Sequence, residues 1–432
     1  MSTPSVKIRP TQKFKGRPLI PGDKSISHRG LIFGALAEGR TEVIDILESG
    51  DVQSTARCLQ QLGVKITKSG NRTYVDGVGL YGFKASRETL DCGNSGTTIR
   101  LLMGVLSGQS FETRMTGDDS LVRRPMKRVA DPLRKMGAQF ALTNEDYAPL
   151  TVKGTQLQGV TYELKVASAQ IKTAITLAGL LANGTTTITG EIHSRDHTER
   201  LLKHFGVKMD VRPDSVSIVG GQKMKAATVQ VPGDPSTAAF WMAAASLIPG
   251  AEVELHNIVL NPTRIGFLRA LERMGANVQT QMTSENPEPI GTIRVTGMGA
   301  GKLRGIKISK EEVPTLIDEL PMLAVLASQA QGVTEVEGAE ELRVKETDRI
   351  EAVAVNLRAM GAQIEVRPDG YRIEGPQTLR GAQINSFHDH RIAMAFSIAG
   401  LIAQGETEIQ HPECVGISYP GFFDTLKDLT TG

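Results

Sequence analysis

Leu133-Arg134-Lys135-Met136-Gly137-Ala138 and Leu271-Glu272-Arg273-Met274-Gly275-Ala276 are two copies of one phrase: a leucine, two polar residues, an apolar residue, a glycine and a small residue. The phrase also stands at Leu59-Gln60-Gln61-Leu62-Gly63-Val64, Leu202-Lys203-His204-Phe205-Gly206-Val207 and Leu357-Arg358-Ala359-Met360-Gly361-Ala362. Such a glycine stops an amphipathic helix, because glycine enters the left-handed C′ conformation without steric cost. The glycines recur about every 70 residues, with one longer gap of about 86, so the chain is written as a repeated helix-and-strand module.

A second pattern interleaves with the first. Nearly wholly apolar runs lead into Gly39, Gly108, Gly184, Gly250, Gly332 and Gly405, each followed by a Thr/Glu/Val-rich strand signal; Ile171 to Leu181, Ala238 to Leu247 and Arg391 to Ile402 are typical. A helix that is apolar on every side must be buried on every side. Each module therefore holds one interior helix, one outer amphipathic helix and several short strands. The 432 residues exceed what one core supports, and the period is too long for the common solenoids. The expected fold class is α/β, with two inside-out domains of three modules each, their buried helices walled by sheet and outer helix. The phrase Pro21-Gly22-Asp23-Lys24-Ser25 is echoed by Pro232-Gly233-Asp234-Pro235-Ser236. It places one domain at 20–231 and the other at 1–19 plus 232–432, with a two-strand hinge near 20 and 232. A cleft between two lobes is a frequent place for a small-molecule site.

A net charge of only +2 gives no global field to recruit nucleic acid, and aromatics at 4% supply few stacking platforms for single strands. The opening Met1-Ser2-Thr3-Pro4-Ser5-Val6-Lys7 lacks the apolar stretch of a signal peptide, and no apolar run is long enough for a membrane span. A cytoplasmic location is expected. Cys58, Cys92 and Cys414 form no CxxC pair, so neither a disulfide framework nor a zinc site is suggested.

Polar and charged residues concentrate where the apolar helices begin. Lys24-Ser25-Ile26-Ser27-His28-Arg29 follows Pro21-Gly22; Ser25 or Ser27 is expected to cap the helix, with Lys24 and Arg29 supplying charge to an anion at its free amides. It is no Walker A loop, since Asp23 separates Gly22 from Lys24. In Asp91-Cys92-Gly93-Asn94-Ser95-Gly96-Thr97-Thr98-Ile99-Arg100 two glycines open the backbone, and Asn94, Ser95 and Thr97 offer hydrogen bonds to a phosphate or carboxylate. Arg123-Arg124-Pro125-Met126 is expected to open an outer helix with Pro125 in its first turn and two guanidiniums gripping a planar anion. Ser168-Ala169-Gln170 and Ser194-Arg195-Asp196-His197 offer donors to hydroxyls and phosphate. Asp318 sits inside the apolar run Leu316 to Pro321, where a carboxylate is costly unless paired. In Arg343-Val344-Lys345-Glu346-Thr347-Asp348-Arg349, Lys345 and Arg349 are expected to share a helical face with Glu346 between cations. His388-Asp389-His390-Arg391 opens the last buried helix; a metal reading of His388 and His390 is weak for want of a third ligand.

Six of these segments follow one another in an order that resembles the 5-enolpyruvylshikimate-3-phosphate synthases: Pro21 to Arg29, Gly93-Asn94-Ser95-Gly96-Thr97 with Arg100, Arg124-Pro125-Met126, Ser168-Ala169-Gln170, Lys345 to Arg349 and Asp389-His390-Arg391. The likeness runs from about residue 7 to 428 and points to the second of the family's two broad classes. It implies two inside-out α/β barrel domains and transfer of a carboxyvinyl group from phosphoenolpyruvate to shikimate-3-phosphate, on the route to chorismate and the aromatic amino acids. It further implies shikimate-3-phosphate held by Lys24, Ser25, Arg29, Ser168, Gln170, Arg195, Asp318 and Lys345. Phosphoenolpyruvate would be held by Lys24, Asn94, Gly96, Arg124, Gln170, Arg349 and Arg391. Asp318 and Glu346 match the family's candidate base and acid, with Lys24 and Lys345 balancing charge; no metal or organic cofactor and a monomer are expected. Gly96 is the residue of a site open to glyphosate. The chain departs from some members at His197, where they place tyrosine, and at Ile417, where they place lysine. The related UDP-N-acetylglucosamine enolpyruvyl transferases usually carry a loop cysteine, and Arg114 to Arg124 contains none. A non-catalytic phosphometabolite sensor would need neither Asp318 nor Glu346.

Overall fold

The computed structural model describes residues 4–431; positions 1–3 of the stretch examined above for a leader, and position 432, lie outside it. The chain divides into two compact units, one running from Gly22 to Val231, the other combining the residues up to Pro21 with those from Pro232 onward.

The repeated phrase acts as a helix stop. Gly63, Gly137, Gly206, Gly275 and Gly361 all take positive φ, between 85° and 110°. In each copy the residue after the glycine donates its N–H to the carbonyl of the phrase's leucine: Val64 to Leu59, Ala138 to Leu133, Val207 to Leu202, Ala276 to Leu271 and Ala362 to Leu357, at 2.9–3.1 Å. This is the Schellman arrangement, and it explains the spacing: the leucine is the third residue from the helix end and the small residue packs back onto it. All five leucines are fully buried.

The apolar runs form the interior helices Lys24–Leu36, Gly96–Leu106, Ala169–Leu181, Pro235–Leu247, Leu320–Gln329 and His390–Gly400. In Pro235–Leu247 every residue is buried, and its many alanines let neighbours approach closely. At Gly104 a Cβ would lie 2.4 Å from the carbonyl oxygen of Ala174, so the crossing of Gly96–Leu106 and Ala169–Leu181 requires glycine there. Five of the six glycines after these helices take positive φ; Gly108 does not, because Ser107 continues in helical backbone and the chain runs on to a strand at Glu112–Thr116.

Among the described residues the strands make six separate sheets, none closed into a barrel. In the repeating unit a strand following the buried helix, such as Glu38–Ile44, pairs antiparallel with a hairpin (Lys65–Ser69, Arg72–Val78) and parallel with a strand from another module, here Thr228–Gln230. That last pairing returns the end of the Gly22–Val231 unit to its beginning. In the other unit Thr407–Gln410 is followed by the 3-10 segment Pro412–Ile417 and the helix Phe422–Thr431, and Ser5–Ile8 takes the antiparallel place beside that strand. The sheet there consequently has three strands instead of four. The C-terminal helix Phe422–Thr431 docks by aromatic packing, with Phe422 stacked on Trp241 at 4.8 Å and Tyr419 edge-on to both. No helix is long and apolar enough to cross a membrane among the described residues.

Candidate active site

Five of the buried helices open on a side-chain cap. Asp23 accepts from the Ile26 N–H at 2.8 Å, Ser95 from Thr98 at 3.1 Å, Ser168 from Ile171 at 3.4 Å, Asp234 from Ser236 at 2.8 Å and Asp389 from Arg391 at 2.8 Å. The expectation of Ser25 or Ser27 as cap is corrected: the helix already includes Ser25, and the Ser27 hydroxyl donates to the Asp23 carbonyl. Leu320–Gln329 differs. It opens through the 3-10 turn Ile317–Glu319 with Pro321 in its first turn, and Asp318 lies on that turn.

Within Gly22–Val231 the candidates form linked groups. Arg124, buried, donates to Asn94 Oδ1 at 2.7 Å, to the Asn94 carbonyl at 3.3 Å and to Ser120 Oγ at 3.0 Å. Its neighbour Arg123 is exposed, so the two guanidiniums do not act as a pair, and the outer helix begins at Lys127, leaving Pro125 outside it. Gly96 lies under both arginines of this cluster: a Cβ there would be 3.2 Å from Arg100 Nη1 and 3.5 Å from Arg124 Nη1. Arg100 donates to Gln170 Oε1 at 2.6 Å, and Gln170 Nε2 donates to Thr97 Oγ1 at 3.0 Å. Arg29 donates to Thr173 and Thr198 at 2.8 Å each, joining its own helix to two others. Lys24 pairs with Asp51 at 3.1 Å. Ser168 and Arg195 are partly buried, each at a helix start.

A hydrogen-bond chain joins the first two motifs. His28 Nδ1 meets Thr55 Oγ1 at 2.7 Å, Thr55 meets Thr98 Oγ1 at 2.6 Å, and Thr98 donates to Ser95 Oγ at 2.7 Å. Burial, with Lys24 and Arg29 nearby, holds the His28 pKa well below the ordinary imidazole value, so the ring is neutral.

The other unit carries the densest charge cluster. Arg349, fully buried, donates to Asp389 through Nε (2.8 Å) and Nη2 (3.2 Å), to Asp318 Oδ1 through Nη1 (3.1 Å) and to Glu346 Oε2 through Nη2 (2.8 Å). Lys345 Nζ reaches the same Asp318 oxygen at 3.2 Å. Burial alone would lower the Arg349 pKa, but Asp389, Glu346 and Asp318 outweigh it and raise the pKa above its ordinary value. Lys345 and Arg349 do not share a helical face: the helix begins at Arg349, and Lys345 is extended after the 3-10 turn Glu340–Val344. They converge on Asp318 instead. Arg391, buried, donates to the Ser236 carbonyl at 2.9 Å and lies over the Phe240 ring.

Sequence reasoning gave no role to Asp51, Arg100 or Asp389. Asp389 caps the last buried helix and is also the partner of an arginine 40 positions earlier. His388 and His390 are not neighbours in any site, one being exposed and the other buried. His197 is buried at the start of His197–His204, and Ile417 ends the 3-10 segment Pro412–Ile417.

The fold is similar to that of the enolpyruvyl transferase NikO from Streptomyces tendae, which matches with a TM-score of 0.80 over 99% of this chain and 98% of its own, at 17% identity, a likeness of fold alone. An EPSP synthase from Acinetobacter baumannii matches with a TM-score of 0.86 and 43% identity over 98% of both chains. The profile of EPSP synthase (3-phosphoshikimate 1-carboxyvinyltransferase) covers residues 8–426, and the chain belongs to that family. Among similar relatives, the 3-phosphoshikimate 1-carboxyvinyltransferase of Bacillus cytotoxicus is 47% identical over 98% of this chain and 99% of its own, and that of Bacillus subtilis 46% over 97% and 98%.

Proposed function

We propose that this chain transfers the carboxyvinyl group of phosphoenolpyruvate to the 5-hydroxyl of shikimate-3-phosphate and releases phosphate. Family membership over residues 8–426 supports the reaction. The observation that carries the assignment of residues is the cluster at Asp318, where a carboxylate and two cations meet beside a second carboxylate, Glu346. The 5-hydroxyl loses a proton as its oxygen bonds to C2, while C3 gains one, giving a tetrahedral ketal. Loss of a proton from C3 and of phosphate from C2 then restores the double bond. Asp318 serves as base and Glu346 as acid in the addition, and the roles exchange in the elimination.

In this reading Lys24, Ser25, Arg29, Ser168, Gln170, Arg195, Asp318 and Lys345 hold shikimate-3-phosphate. Lys24, Asn94, Gly96, Arg124, Gln170, Arg349 and Arg391 hold phosphoenolpyruvate, whose carboxylate and phosphate suit guanidinium forks. In the same reading the protein works as a cytoplasmic monomer. The test is phosphate release by the purified chain with both substrates. Turnover with shikimate-3-phosphate and none with UDP-N-acetylglucosamine is expected. Binding of both ligands without phosphate release would overturn the catalytic reading in favour of a sensor.

A further inference from the structure

The weak pair His388 and His390 conceals a different trio. His388, His411 and Glu413 each offer a ligand atom, and these atoms lie within 4.8 Å of one another. His411 Nδ1 is 3.5 Å from Glu413 Oε1, close to the roughly 3.4 Å that separates neighbouring ligands around a tetrahedral ion with bonds of about 2.1 Å. The two imidazole centroids are 4.0 Å apart. All three side chains are exposed or partly exposed, so an ion has access.

The main chain is arranged to hold this trio. His388 and His411 both adopt the left-handed conformation, at φ 55° and 53°, which is uncommon outside glycine and turns their side chains off the course of the flanking segments. Buried Ser386 joins them: its hydroxyl accepts from the His388 N–H at 3.2 Å and donates to the His411 carbonyl at 3.4 Å. One histidine precedes the cap of the last buried helix, and the other follows the strand Thr407–Gln410. An ion bridging them would pin the helix start to the turn at Pro412–Ile417.

We propose that His388, His411 and Glu413 form a binding site for a divalent transition-metal ion, of the zinc, copper or nickel type, that stabilises this corner of the fold. Two imidazoles and one carboxylate select such ions, whereas magnesium and calcium require oxygen ligands. Water completes the shell. The site stands outside the residues assigned to the reaction, and the inference does not depend on that assignment.

The test uses the full chain without an affinity tag, stripped with chelator. Titration with Zn²⁺, and with Co²⁺ and Cu²⁺ as spectroscopic probes, should show one saturable equivalent, with imidazole nitrogen couplings in the Cu²⁺ resonance spectrum. Zinc should also raise the thermal midpoint. His388→Ala or His411→Ala, which remove a ligand outright, should weaken binding by at least about a hundredfold, more than loss of an outer-shell partner does. Excess Mg²⁺ should not compete. The metal-free thermal midpoint of each histidine variant, measured beside its zinc shift, separates lost ligation from lost folding. No saturable equivalent, or one that survives in the His388→Ala/His411→Ala double variant, overturns the proposal; the chain's eight histidines make that control necessary.

Discussion

Replacing Arg349 by methionine tests the charge cluster most directly. The guanidinium serves three carboxylates, Asp389, Asp318 and Glu346, and Lys345 is a second cation on Asp318. Removing one partner from a buried ion network typically costs about 3–5 kcal/mol, since the charges left behind are desolvated without compensation. With a urea slope of about 3 kcal/mol/M for a unit of this size, the unfolding midpoint should fall by about 1–1.7 M. Trp241, the single tryptophan, is buried in the same unit, so its fluorescence follows that unit's transition selectively. The variant's deficit should narrow toward acid pH: carboxylates left without a shared cation bind protons more readily in the folded variant than in the unfolded chain, and stability relative to the parent then rises as pH falls. Arg349→Lys keeps the charge but not the fork, and should fall between parent and Arg349→Met. A midpoint within about 0.2 M of the parent for Arg349→Met would refute the claim that this arginine holds the cluster together.

Asp318→Asn preserves size and should lower kcat for phosphate release by roughly 10²–10⁴-fold with a much smaller change in KM for shikimate-3-phosphate; an unchanged kcat removes Asp318 from proton transfer. Gly96→Ala places a methyl 3.2 Å from Arg100 Nη1, so the Arg100 guanidinium must give way by a few tenths of an ångström. The KM for phosphoenolpyruvate should rise and inhibition by glyphosate weaken, both read from initial rates, and unchanged values for both would move Gly96 out of that subsite. His28 is buried and neutral with its pKa lowered, so the unfolded chain takes up a proton below about pH 6.5 that the folded chain refuses. Its contribution is complete above that pH and is lost on acidification at up to about 1.4 kcal/mol per pH unit. That contribution should therefore vanish in His28→Asn, flattening this dependence in far-UV circular dichroism melts, and an identical slope would show that His28 binds its proton equally in both states.

The helical modules were legible because each depends on local chemistry. The Leu-x-x-apolar-Gly-small phrase encodes a Schellman stop within six residues, and an all-apolar run has only one environment open to it. Long-range partners were not legible. Nothing near Arg349 in sequence announces Asp389 or Asp318, and nothing near His388 announces His411. The helical pattern of Lys345 and Arg349 suggested a shared face because spacing of four is usually read on a helix. The structure achieves the same convergence through an extended Lys345 and a helix that starts at Arg349. Likewise Ser25 and Ser27 looked like caps by residue type, whereas the backbone enters the helix one residue earlier and gives that place to Asp23.

The repeats also indicate where chemistry can reside. Five buried helices begin alike, on an aspartate or serine whose side chain is committed to a backbone N–H of the first turn. Such a residue is tied to holding the helix start, as Asp389 shows by capping His390–Gly400 while it also grips Arg349. The helix Leu320–Gln329 departs from the pattern in its entry: the chain arrives through the 3-10 turn Ile317–Glu319, while proline in the first turn, where a missing N–H costs nothing, is shared with the capped helix Pro235–Leu247. That departure places a carboxylate, Asp318, two residues ahead of the helix, where two cations from a later segment meet it. On the proposed reading, the acid–base carboxylate thus stands at an interior helix start entered through a 3-10 turn, where the five others carry the repeated aspartate or serine cap.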